Sequence, residues 1–194
     1  MDKLKRGIQL YAVSKHLTRV YNIAYAKKIL RSGGAPVSLP FSMQRQLQTN
    51  WCWAATATSI SLFYNGTSVW TQCSVASQTL GQSCCSAPFP TPCNTAYYLD
   101  DALLTTGNFV SYTNMVPFNQ VEAELKKGRI VACRIEWGGG RGHFIAICGC
   151  STMAGVNYFD VDDPDAGQST ISEAGLLSAY AGSGSWSHTF ITKP

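Results

Sequence analysis

The chain has 194 residues, 45% of them apolar and only 13% charged. That is enough for one domain with a substantial core, and it excludes disorder over most of the length. No apolar run approaches the length of a membrane span, so no transmembrane helix is expected. The net charge of +4 combines two unlike parts. Residues 1–34 hold eight Lys/Arg against Asp2, and the rest holds seven basic and ten acidic groups, so the first part carries +7 and the second −3. A mildly acidic body offers no basic groove for nucleic acid.

The N-terminal arm places apolar residues at Leu4, Ile8, Tyr11 and Ala12, then at Val20, Ile23, Ile29 and Leu30. This spacing predicts one or two amphipathic basic helices. Lys15, His16 and Arg19 interrupt the run, so it lacks the continuous apolar segment of a secretory signal. Ser32-Gly33-Gly34-Ala35-Pro36 reads as a linker, which divides the chain into a basic arm at 1–34 and a compact domain at 35–194. The arm is suited to contact the domain or an acidic partner.

Residues 52–64 contain no Gly or Pro and stop at Asn65-Gly66, the pattern of a helix, with Trp53, Ala57, Ile60 and Tyr64 on one buried face. The stop also accounts for Asn65-Gly66-Thr67, which otherwise fits a glycosylation sequon. A second helix is predicted from an Asn94 cap through Leu99 and Leu103 to Gly107. A third has the capping pair Asn119 and Glu122 and stops at Gly128. Strands are predicted at 129–136, 143–148, 157–162 and 186–192, with a glycine turn at 138–142 between the first two. Helices first and a mostly antiparallel sheet after them make an α+β domain.

Four of the eight cysteines, Cys73, Cys84, Cys85 and Cys93, fall in a stretch rich in Ser, Pro and Gln. No CxxC pair or nearby His supports zinc, so a disulfide-tied loop of open connectivity is expected, formed in an oxidising compartment. Cys52 differs from these. It stands at the start of the predicted helix, where unsatisfied backbone N–H groups favour negative charge on its sulfur. Of the three histidines, His16 lies in the arm and His188 in the closing strand, while His143 opens a strand after the glycine turn. A base at His143 needs a group to hold its second nitrogen, and Asp160, Asp162 and Asp163 are the available acids.

Gln46-Leu47-Gln48-Thr49-Asn50-Trp51-Cys52-Trp53 resembles the nucleophile segment of the papain superfamily of cysteine peptidases. There a glutamine six residues before the cysteine serves the oxyanion hole, which implies Gln46, with Gln48 as the fallback. Gly142-His143-Phe144-Ile145 is similar to the strand that bears the base, and Asp162-Asp163-Pro164 to the Asp-Pro element of bacterial members. The resemblance implies a papain-like α+β fold over roughly residues 37–192, with Cys52, His143 and Asp163 as catalytic triad and Asp162 as runner-up. It extends to avirulence-type peptidases of plant pathogens and to double-glycine leader peptidases. From it follow a protein or peptide substrate, no metal or cofactor, and self-processing at Gly33-Gly34 where the arm meets the domain; the cysteine-rich loop and low charge favour export from a bacterium. Amide transfer, deamidation and non-catalytic peptide binding are the competing readings.

Overall fold

The computed structural model describes residues 35–194; the arm helices and the Gly33-Gly34 bond lie outside the described residues. Five helices and seven strands follow in order, labelled by class along the chain. They are β1 (Val37–Ser38), α1 (Cys52–Tyr64), α2 (Gln72–Leu80), α3 (Leu99–Thr106), β2 (Phe109–Asn114), α4 (Phe118–Lys126), β3 (Val131–Trp137), β4 (Arg141–Met153), β5 (Val156–Asp163), β6 (Gly167–Ser172), α5 (Glu173–Ser178) and β7 (Ser185–Thr192). The expected α+β architecture is present, with helices packed against an antiparallel sheet ordered β2-β7-β3-β4-β5-β6; β1 pairs with β4 beyond the end of β3.

Both faces of the sheet are covered, and this explains why β4 reads as an almost unbroken apolar run. Phe144, Ala146 and Cys148 face α1, α2 and α3 across one core. Ile145 and Ile147 face a second core with Val121 and Leu125 of α4 and Leu176 of α5. Side chains alternate along a strand, so each neighbour belongs to the other core. Helix α1 is buried at every position from Cys52 to Ser61, not on the single face that its periodicity suggested. Sheet lies on one side of it, and α2 and α3 cover the others.

Several expected boundaries move. The second predicted helix begins at Leu99 behind Tyr98, not at Asn94. Asn94 follows a short 3-10 turn at Thr91–Cys93 and spends its side chain on the backbone N–H of Asn50 (3.0 Å) and on Thr49 Oγ1 (2.9 Å). The capping pair Asn119/Glu122 does not form, because Pro117 holds the cap position. Glu173 Oε1 accepts the Phe118 N–H instead, and Glu122 pairs with Lys126. Strand β4 runs through Gly149 to Met153, five residues past its predicted end. Helices α2 and α5 and strands β1, β2 and β6 lie where no element was predicted.

The cysteine-rich segment is tied as Cys73–Cys85 and Cys84–Cys93. The second bridge is wholly buried and brings Cys93 under α1, where its carbonyl accepts the Trp51 indole N–H at 2.6 Å.

Candidate active site

Helix α1 opens at Cys52, and its cap residue Trp51 offers no side-chain acceptor, so the first-turn N–H groups are left to whatever lies beside them. Trp51 is fixed from two directions, by its indole bond to Cys93 and by its backbone N–H to Gln48 O (3.0 Å). Asn50 is fixed by Asn94. The disulfide-tied segment thus sets the approach to Cys52, which is 8% exposed.

His143 sits near the start of β4, and its ring Nε2 lies 2.7 Å from Asp163 Oδ1. The Cys52 thiol lies near enough to the same ring to act on its charge. Burial pulls the His143 pKa down, but hydrogen bonds and charges from Asp163 and Cys52 outweigh it and raise it to about 10. Burial pushes Asp163 up, yet its bonds to His143, Tyr180 and the Asp165 N–H hold it at about 2. The pair is therefore imidazolium and carboxylate near neutrality.

Strand parity separates the three acids. Val161 pairs with Ile147 and Asp162 with Ala146, so Asp163 shares a face with Ile145 and His143 while Asp162 turns away. Asp162 Oδ2 accepts the Met43 N–H (2.8 Å) and the Gln168 amide (3.2 Å). Asp160 bonds Thr170 at 2.7 Å. Gln46 is anchored next to Asp163, its backbone N–H donating to Pro164 O at 2.8 Å. Its amide Nε2 donates to Thr49 O (2.9 Å), and its Oε1 is buried without a partner among the described residues. His188 makes no bond to Asp163; its Nδ1 lies 3.0 Å from Ser187 Oγ.

Beside Cys52 opens a cleft of about 820 Å³. Trp53 and the 96–101 segment form one wall; Gly142, Phe144, Arg134, His188 and Tyr112 on the sheet form the floor. Over Gly142 lies the Arg134 guanidinium, whose Nε is 2.7 Å from where a Cβ would stand. Two contacts escaped sequence reading. Tyr180 donates its hydroxyl to Asp163 Oδ2 at 2.6 Å. The Trp137 ring lies with its centroid 6.5 Å from His143 and 6.4 Å from Tyr180. Neither residue belongs to a motif that would have marked it. A sulfur at a helix start, an imidazole near it and a buried carboxylate bonded to that imidazole can perform acyl transfer. Among the described residues no group of His, Cys, Asp and Glu is arranged to hold a metal ion.

The family model of the papain-like cysteine protease AvrRpt2 matches residues 35–178. Among solved structures, the peptidase domain of Streptococcus ComA, a bifunctional ABC transporter involved in quorum sensing, is similar at 13% identity with a TM-score of 0.53. The match covers 79% of this chain and 99% of that one. A chain from a structural study of antibody cross-reactivity between the mite allergens Blo t 1 and Der p 1 is similar at 12% identity with a TM-score of 0.50, over 78% of this chain and 67% of that one. Comparison with curated protein sequences gives no match.

Proposed function

Since the chain belongs to the family of the papain-like cysteine protease AvrRpt2, and is thus a cysteine peptidase, we propose that it cleaves peptide bonds through Cys52, His143 and Asp163. The observation that carries this reading is the 2.7 Å bond from the His143 ring to buried Asp163, with Cys52 at the head of α1 close enough to act on the same ring.

In the proposed reaction the Cys52 proton resides on His143, and the sulfur attacks the substrate carbonyl carbon. The carbonyl electron pair moves to oxygen, giving a tetrahedral oxyanion. The Cys52 backbone N–H and the second amide N–H of Gln46 stabilise it, a donor set whose loss costs roughly a hundredfold or more in rate. As the oxyanion collapses, the C–N bond breaks and His143 hands its proton to the leaving amine, which leaves a thioester on Cys52. Water then adds to the thioester while His143 takes one of its protons, and the carboxylic acid departs as the thiol is restored. Asp163 keeps the ring oriented and charge-compensated throughout.

The domain boundary falls at residues 34–35 in this reading, and the basic arm is a leader removed at Gly33-Gly34. The family supports an exported bacterial protein, and the bridged cysteines of the 73–93 segment fit passage through an oxidising compartment. Among the described residues no helix is long and apolar enough to cross a membrane. The test is proteome-wide mapping of new N-termini with wild-type and Cys52→Ala proteins. Discrete cleavage sites that vanish in the variant are expected. Their absence from a folded wild-type sample, or their persistence in Cys52→Ala, would remove the assignment.

A further inference from the structure

Asp163 is 5% exposed, and its two carboxylate oxygens are used unequally. Oδ1 faces His143 Nε2 at 2.7 Å and also accepts the backbone N–H groups of Asp165 (2.7 Å) and Ala166 (3.1 Å). Oδ2 receives one bond among the described residues, from the Tyr180 hydroxyl at 2.6 Å. Without that donor a buried carboxylate oxygen is left bare, a costly state that favours protonation or rotation of the group.

Tyr180 is held for this task from several sides. It is 7% exposed, in the second core, and its backbone pairs with Gly184 in a tight bridge (N to O 2.9 Å, and 2.7 Å in return). A Cβ at Gly184 would meet the Tyr180 carbonyl at 2.8 Å and Trp137 Cε2 at 2.8 Å, so only glycine lets the turn close against Trp137. The titratable groups around Asp163 and Tyr180 are His143 from β4, Cys52 from α1 and Cys133 from β3. Asp165, in the turn after β5, presents its backbone N–H. Burial and the Asp163 charge raise the Tyr180 pKa, so its hydroxyl stays a donor throughout the working range.

We propose that Tyr180 is a positioning residue of the active site: its hydroxyl clamps Asp163 Oδ2 so that Oδ1 stays on His143 and the carboxylate stays charged in acid. This rests on the reading of Cys52, His143 and Asp163 as the reacting line. It adds a fourth member, supplied by the turn after α5, that touches neither sulfur nor substrate. A charge-assisted hydrogen bond of this kind corresponds to about one to two pH units.

The experiment is the rate of Cys52 alkylation by iodoacetamide against pH, which needs no knowledge of the substrate. Wild type, Tyr180→Phe, Asp163→Asn, the double variant and His143→Ala are compared, with Cys52→Ala as blank. Phenylalanine keeps the ring packing and removes only the oxygen. In Tyr180→Phe the acid limb is expected to move up by about one to two pH units, with the far-ultraviolet dichroism preserved and the neutral-pH unfolding midpoint lowered, as loss of a bond to a buried carboxylate requires. Asp163→Asn and the double variant should superimpose, because the clamp acts only through the carboxylate. A Tyr180→Phe profile identical to wild type overturns the proposal, as does a further shift on adding Tyr180→Phe to Asp163→Asn. If His143→Ala leaves the Cys52 profile unchanged, the reading of the reacting line fails, a result separable from failure of the clamp alone. Should Tyr180→Phe not fold, Tyr180→Met, which fills the site with a flexible apolar chain and likewise removes the hydroxyl, is expected to give the same acid shift.

Discussion

A one-residue step along β5 decides between two adjacent aspartates. Asp163 faces His143, while Asp162 holds the Met43 backbone and Gln168. An asparagine at 162 still offers an oxygen to the Met43 N–H, whereas an asparagine at 163 removes the charge opposite the imidazolium. Asp163→Asn is therefore expected to lower peptidase activity by roughly a hundredfold or more, and Asp162→Asn by less than about tenfold. Equal losses in steady-state assays would contradict the parity argument. The same pair makes stability depend on pH. His143 is raised from 6.5 to about 10, so its contribution is full below 6.5 and disappears as pH rises through about 10. Asp163 is lowered from 3.8 to about 2, so its contribution is full above 3.8 and disappears as pH falls through about 2. The unfolding temperature should carry this increment in full between those ordinary values, 3.8 and 6.5. Asp163→Asn should flatten both flanks in a calorimetric pH series; unchanged flanks would show that the pair is not the source.

At the level of elements, the cost of each connection can be measured. The Cys84–Cys93 bridge closes nine residues of sequence separation and carries the carbonyl that fixes Trp51. Replacing both cysteines by serine should destabilise the domain by about 2–3 kcal/mol in urea titrations, through the freed denatured chain. Cys52 reactivity should fall with it, because the residue that caps α1 loses its anchor. Gly149 marks a second such point. A Cβ there would sit 2.5 Å from Asp160 Oδ2 and 2.9 Å from the Val37 carbonyl, so Gly149→Ala should push β1 off β4 and cost about 1–3 kcal/mol. A neutral substitution would mean that β1 contributes little. Gly149 also shows why some boundaries were illegible in the sequence. A glycine after an apolar run reads as a break, and only the crowding of β1 and Asp160 around it reveals that β4 continues. Helix α1, the glycine turn and the four long strands were legible because their periodicity and stop residues are local. Helix α2 hides in a polar, cysteine-rich segment whose Thr71–Ser74 cap and Gly81 stop were outweighed by composition. Strand β2 is almost wholly exposed and carries no alternation to read. Motif and order marked Cys52, His143 and Asp163 as candidates, and the His143–Asp163 bond joins two of them. Tyr180 could not be marked, since nothing in Ala179-Tyr180-Ala181-Gly182 signals that its turn folds back onto β5.

For the whole molecule the question is how a basic arm could meet the cleft. The arm joins the domain at β1, where Val37 pairs with Cys150, seven residues along β4 from His143. At about 3.3 Å per residue that is roughly 23 Å of strand. From Val37 back to Gly33 there are four residues, about 14 Å when fully extended. A bound substrate must also lie extended on both sides of the scissile bond, so Ala35 and Pro36 would have to occupy the site as well as bridge to β1. On the proposed processing at Gly33-Gly34, four residues of chain do not span from a paired Val37 to the His143 end of β4, and cleavage is expected to occur between molecules. The fraction cleaved per unit time should then rise in proportion to protein concentration, and wild-type enzyme should trim the arm from added Cys52→Ala protein. A half-life independent of dilution, with the Cys52→Ala chain left intact beside active enzyme, would mean instead that β1 peels away to let the chain cut itself.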